Sequence, residues 1–198
     1  MRLVTTTMVS LDGVMQGPGG AAEDTRGGFT RGGWSLPIGD EESGEYIVRT
    51  YSEAAAFLLG RVTYDIWADY WPHQEGPIAD ALRAAPRYVA STTLTEPSWT
   101  GTTVLDGDVA SRIQWLKAKG DGDLVVPGSG MLVRWLLAHR LVDQLELMTL
   151  PVVVGQGERL FPPAGPDAAL DLHSSRVTPS GIVLSVYRPT GRPPQYAR

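Results

Sequence analysis

Twice in this chain a short, wholly apolar run stops at a glycine and gives way to helical spacing. Residues 56–60 read Ala-Phe-Leu-Leu-Gly, and residues 124–128 read Leu-Val-Val-Pro-Gly. A strand with no polar alternate is buried on both faces. Parallel sheets covered by helices require such strands, whereas antiparallel sheets open to water show alternation instead. These two runs therefore point to helices packed on both sides of a largely parallel sheet.

The remaining segments extend that frame. Residues 3–9 are β-branched and strand-like. Residues 41–54 carry Tyr46, Ile47, Thr50, Tyr51 and Ala54 on one helical face. Val62, Ile66, Trp67 and Tyr70 recur at helical spacing, and Pro77 opens a helix bearing Ile78 and Leu82. Residues 87–91 and 102–105 read as strands, and Asp108 caps a helix bearing Val109, Ile113 and Leu116. Residues 129–139 are helical and residues 143–154 form a long β-rich stretch. Strands at 170–177 and 182–188 flank the turn Pro179-Ser180-Gly181. The expectation is an α/β fold: a mixed, mostly parallel eight-stranded sheet, helices on both faces and a C-terminal antiparallel hairpin. Residues 1–190 form one domain, and 191–198 form a flexible tail. The glycine-rich residues 17–33 read as a long loop of the kind that covers a site.

Composition removes several functions. A net charge of −5 does not favour the basic face that nucleic-acid binding needs. The absence of cysteine excludes disulfides, thiolate metal sites and a cysteine nucleophile. The three histidines, His73, His139 and His173, have no metal-ligand spacing, so no metal is expected. No apolar run approaches the ~20 residues of a membrane span. The start of the chain lacks signal-peptide character, so the cytoplasm is expected.

Four segments carry chemistry, and each follows a strand. In open α/β sheets, ligands bind beyond the carboxyl ends of strands. Pro127-Gly128-Ser129-Gly130 lets backbone N–H groups at a helix start meet an anion, although a plain turn with Ser129 as N-cap explains it equally. Gly60-Arg61-Val62-Thr63 places a guanidinium at a helix N-terminus, where the dipole disfavours a cation unless an anionic ligand is present. Ser91-Thr92-Thr93 offers hydroxyls for a phosphate or ribose, or simply a turn. Ser10-Leu11-Asp12-Gly13 precedes the long loop, with Asp12 either a functional carboxylate or an Asx-turn residue. Tyr64, Trp67, Tyr70 and Trp71 suit core packing or a platform for a flat substrate. Asp40, Glu41, Glu42 and Glu45 suit a helix N-terminus, though one could face a substrate.

These segments, in this order, resemble the dihydrofolate-reductase-like superfamily. They most resemble the branch holding the reductase domain of the riboflavin-biosynthesis deaminase/reductase and its stand-alone relatives. Leu141-Val142-Asp143 and Pro151-Val152-Val153-Val154-Gly155 add to the match, which runs over residues 3–188. The resemblance implies NADPH as cofactor. Arg61 with Ser91 or Thr92 would take the 2′-phosphate, and Gly60 and Thr63 would complete that segment. Pro127, Gly128, Ser129 and Gly130 would form the pyrophosphate turn, and Thr6 or Thr7 would lie near the nicotinamide. Asp12 would orient or protonate substrate as the catalytic residue. The chain departs from true dihydrofolate reductases in having no well-placed pterin-binding carboxylate, which argues against folate as substrate. No deaminase zinc motif accompanies these segments, so a role in riboflavin synthesis would call for a separate deaminase.

The functional expectation is hydride transfer to a small heterocyclic or sugar-derived substrate, akin to the aminouracil reduction of riboflavin synthesis. The rivals are a non-catalytic nucleotide-binding or sensor module of the same fold and a partner-binding protein with an empty cleft. The resemblance also implies a possible homodimer, with the late β-rich segment as its interface.

Overall fold

The computed structural model describes residues 1–197. Eight strands build one sheet among the described residues. They are β1 (Arg2–Ser10), β2 (Ala54–Gly60), β3 (Arg87–Ala90), β4 (Thr102–Leu105), β5 (Asp123–Pro127), β6 (Gln144–Leu150), β7 (Leu170–Val177) and β8 (Val183–Pro189). Their order across the sheet is β4-β3-β2-β5-β1-β6-β8-β7. The first six run parallel, while β8 is antiparallel to β6 and β7 to β8. Five α-helices connect them: α1 (Glu41–Ser52), α2 (Arg61–Tyr70), α3 (Pro77–Ala84), α4 (Val109–Lys119) and α5 (Gly130–Ala138). The mixed, mostly parallel sheet with its closing hairpin is the expected architecture.

Two-residue alternation sorts the strand side chains between two helical layers. Leu3, Leu58, Leu124, Val126 and Leu145 pack with Ile113 of α4 and Leu136 of α5. Phe57, Leu59, Val89 and Val125 face the other way, against Tyr64 of α2 and Leu82 of α3. On that same side Met148 and Leu184 meet Tyr46 and Ile47 of α1 and Trp34 of the long loop. Both faces of the central strands are therefore dry, which is why their sequence shows no polar alternate.

Several details differ from the sequence reading, most of them shifts of one or two residues at element ends. β6 stops at Leu150 rather than running on to residue 154. Pro151 has no N–H for a ladder, and the chain turns so that Leu11 N donates to Val152 O at 2.8 Å. α5 starts one residue late, at Gly130, because Ser129 takes a left-handed rather than a helical conformation. The loop at 17–33 is packed rather than loose: Phe29 is buried, and Trp34 Nε1 donates to Gln16 O at 2.8 Å. In the 191–198 segment, Tyr196 donates to Asp167 Oδ2 at 2.9 Å, while Arg198 lies outside the described residues. Among the described residues no helix is long and apolar enough to cross a membrane.

Candidate functional site

Four neighbouring strands, β3, β2, β5 and β1, bring the sequence-predicted segments to one edge. β5 ends at Pro127, which pairs in register with Thr6 of β1. Gly128 N then donates to Thr6 O at 2.9 Å, so the turn is fastened to β1. Gly60, at the end of β2, lies so close to the same turn that a Cβ there would overlap Ser129 Oγ. From the adjacent helix, Arg61 reaches past β2 and donates to Thr93 Oγ1 beyond β3 at 2.9 Å. Thr93, Arg61, Gly60, Ser129, Gly128 and Thr6 thus form one unbroken line along the sheet edge.

Two helix N-termini open onto this line. Neither Gly60 before α2 nor Ser129 before α5 supplies a side-chain cap. The plain-turn explanation of Ser129, as N-cap, therefore does not hold. Ser129 instead adopts φ 65°, ψ 72°, a left-handed conformation that disfavours a residue with a Cβ. The first amides of both helices are left for another acceptor. Gly128, with φ 81°, makes the bend that glycine alone adopts without cost. Gly130 has a different reason: a Cβ there would lie 2.6 Å from Met15 Sδ. Its missing side chain admits Met15 rather than leaving open space.

Arg61 is already paired. Its Nε donates to Asp65 Oδ1 at 2.8 Å, one helical turn on. An anion is therefore not needed to neutralise it, and Asp65 competes with one. The competition is weak, because an exposed i,i+4 pair contributes only about 0.3–0.5 kcal/mol. Ser91 does not point at the guanidinium. Its Oγ is spent inside the turn, accepting from Thr93 N at 3.2 Å and Leu94 N at 3.1 Å. Thr92 is exposed without a side-chain partner among the described residues, and Thr63 lies half-buried in the first turn of α2. Thr93 is the hydroxyl that the sequence reading missed as Arg61's partner. Asp65 was legible from its i,i+4 spacing to Arg61.

Thr6 is mid-strand, because β1 runs on to Ser10. It is nevertheless level with Pro127, where β5 stops, and 8% exposed. Thr7 points to the opposite face, and its Oγ1 is buried without a partner among the described residues.

Asp12 sits differently from the expectation of a proton donor. Oδ1 accepts from Ser10 Oγ at 2.7 Å and Val154 N at 2.9 Å. Oδ2 accepts from Gly155 N at 2.9 Å and faces Arg159 at 3.5 Å. The Ser10 hydroxyl first, then the Val154 amide, hold the carboxyl at about 2, below its ordinary range. A group so committed stays ionised at neutral pH and has no proton to give. Its visible work is to clamp residues 10–14 to residues 154–155. Tyr64 is core, 2% exposed, and Trp67 and Trp71 meet edge-on at 5.9 Å, so the aromatic set packs together. Asp40 caps α1 in a reciprocal pair with Ser43 and accepts from Ser180 N at 2.9 Å.

A mixed sheet of this order, with glycine turns and open helix ends at its central carboxyl edge, has the dihydrofolate-reductase-like fold. Solved structures share that fold. A dihydrofolate reductase from Enterococcus faecalis, complexed with NADP(H), superposes with TM-score 0.63 at 13% identity, covering 96% of each chain. A putative riboflavin biosynthesis protein from Shewanella reaches 0.73 at 20% identity, covering 96% of this chain and 99% of its own. A pyrimidine reductase-like protein from Corynebacterium diphtheriae reaches 0.64 at 14% identity, covering 96% and 92%. Residues 2–184 match the RibD C-terminal domain model, and the chain belongs to that family. A curated relative, the uncharacterized protein YyaP of Bacillus subtilis, is 25% identical over 195 residues, 96% of either chain.

Proposed function

We propose that this protein is an NADPH-dependent reductase acting on a small heterocyclic or sugar-derived substrate. The observation that carries the reading is the juxtaposition of Gly60-Arg61 with Gly128-Ser129 on adjacent strands, beside two uncapped helix starts. Amides at helix N-termini suit a pyrophosphate. A guanidinium one strand away, beside the Thr93 hydroxyl, suits a 2′-phosphate, which separates NADPH from NADH. The cofactor-bearing dihydrofolate reductase of like fold and the family membership support the same choice.

The bound cofactor would supply the hydride. Arg61 and Thr93 would hold its 2′-phosphate, and residues 128–130 its pyrophosphate. Thr6, level with the end of β5, would border the nicotinamide and turn its hydroxyl toward the substrate side. Asp12 would act by holding the 10–14 turn and Met15 against the glycine bend. The substrate proton would come from another group or from water. The same reading includes a homodimer through the outermost strand, β7, which exposes Leu172 and Val177. Analytical ultracentrifugation would show a dimer if so and a monomer if not.

The direct test is NADPH fluorescence titration followed by cofactor consumption across aminopyrimidines and sugar-derived carbonyl compounds. Saturable binding with consumption by one substrate class supports the reading. Binding without consumption across the panel favours the sensor alternative, and no binding removes both.

A further inference from the structure

One polar cavity lies away from the cofactor edge. It is a space of about 360 Å³ between the second half of α1 and the sheet, roofed on one side by β7. That volume falls within the roughly 300–1,000 Å³ of small-molecule sites. None of the residues assigned above to the cofactor lines it.

Its chemistry is unusual for its position. The central strand positions on this face, Val4, Val125, Leu184 and Val186, are apolar, and at its end Arg2 and Asp123 pair with each other. Among them β6 plants Gln144 and Glu146, only 8% and 9% exposed. Glu146 has neutral partners: Tyr46 donates to Oε2 at 2.6 Å and Gln144 Nε2 to Oε1 at 2.7 Å. Among the described residues it has no ion pair. Burying a carboxylate without a cation is costly, and each of its oxygens keeps a spare lone pair. At the rim two guanidinium groups flank the Tyr46 ring, Arg49 at 5.7 Å and Arg176 at 5.8 Å from its centre. Arg176 is paired with Glu42, whereas Arg49 has no side-chain partner among the described residues.

We propose that this cavity binds a small amphoteric molecule, with a cationic or N–H-rich end against Glu146 and a carboxylate or phosphate end at Arg49. The buried end supplies the direct ion pair that Glu146 lacks, since the Arg2 guanidinium in the same cavity is held by Asp123, and the rim guanidinium takes the anion. Tyr46 is pushed well above its ordinary range by burial and by Glu146, so it stays a neutral donor that fixes the carboxylate in place. The inference stands apart from the NADPH reading, since the two sites share no residue. If both hold, the ligand is a candidate substrate or effector, because Glu146 pairs in register with Thr6.

4-Amidinobenzoate carries both ends on a rigid ring and serves as the probe, with benzamidine and benzoate as single-ended controls. Amide chemical-shift titration of the full chain is the readout, with NADPH titrated in parallel. The expected result is saturable binding of 4-amidinobenzoate, with shifts at Gln144, Glu146 and the second half of α1. Glu146→Gln and Arg49→Ala each weaken it roughly tenfold or more, the scale of one charged hydrogen bond. Benzamidine is weakened only by the first and benzoate only by the second, while NADPH affinity stays unchanged in Arg49→Ala. Should Glu146→Gln fail to fold, the rim variant Arg49→Ala decides alone. No binding of 4-amidinobenzoate, or binding indifferent to the folded variants, overturns the proposal. A loss of NADPH binding in the wild type overturns the cofactor reading instead.

Discussion

At the residue scale, Gly60 and Ser129 are the tightest pair of the site. A Cβ on Gly60 would collide with Ser129 Oγ, and Ser129 already holds a left-handed φ. Ser129→Gly should therefore stabilise the fold by about 1 kcal/mol, the cost of that conformation for a residue with a Cβ. Gly60→Ala should destabilise it and weaken NADPH, and the double variant should recover most of the loss. Thermal denaturation of the three proteins checks this; additive effects would mean the two residues do not interact. Asp12 gives a pH prediction. Its carboxyl is held at about 2 in the fold, below the ordinary range it regains on unfolding. A depressed carboxyl stabilises above its unfolded pKa, and that stability is lost as pH falls through the folded value. Stability should thus fall between about pH 4 and pH 2, and Asp12→Asn should flatten that interval. A profile unaltered in the variant would show that the clamp contributes nothing. Asp65→Asn should leave Arg61 free for phosphate and tighten NADPH by a factor of about 2, the worth of one exposed pair; weaker binding would contradict the competition.

Elements were legible where a single period ruled the sequence. The apolar runs of β2 and β5, the β-branched β1 and the β7–β8 hairpin were readable because burial on both faces or alternation on one leaves a pattern within a few residues. Boundaries set by distant partners were not. β6 stops short because Pro151 diverts the chain toward residues 10–14, and the contact that receives it, Leu11 with Val152, lies far away in sequence. Asp12 was visible as a motif, but its acceptor role depends on amides 142 and 143 positions away. Likewise Ser91 and Thr93 are two residues apart, and only the turn geometry decides which faces Arg61. At this scale the α1 cap is testable. Asp40 joins Ser43 to the turn between β7 and β8, so Asp40→Ala should lower Tm and raise hydrogen exchange in both elements together. Faster exchange in α1 alone would separate them.

For the whole molecule, the strand order matters more than any one motif. Separated in sequence by up to about a third of the chain, the turns after β3, β2 and β5 meet because those strands are neighbours beside β1. Each turn read alone had an ordinary explanation; their adjacency brings two helix starts without side-chain caps to one edge. The most direct measurement is an amide chemical-shift map during titration with NADPH and, separately, NADH. Both cofactors should shift the amides of Thr6, Gly60 and residues 128–132, and NADPH alone should shift those of Arg61 and Thr93. Shifts confined to another surface, or a residue 60–63 response without one at 128–132, would contradict a single dinucleotide site along this edge.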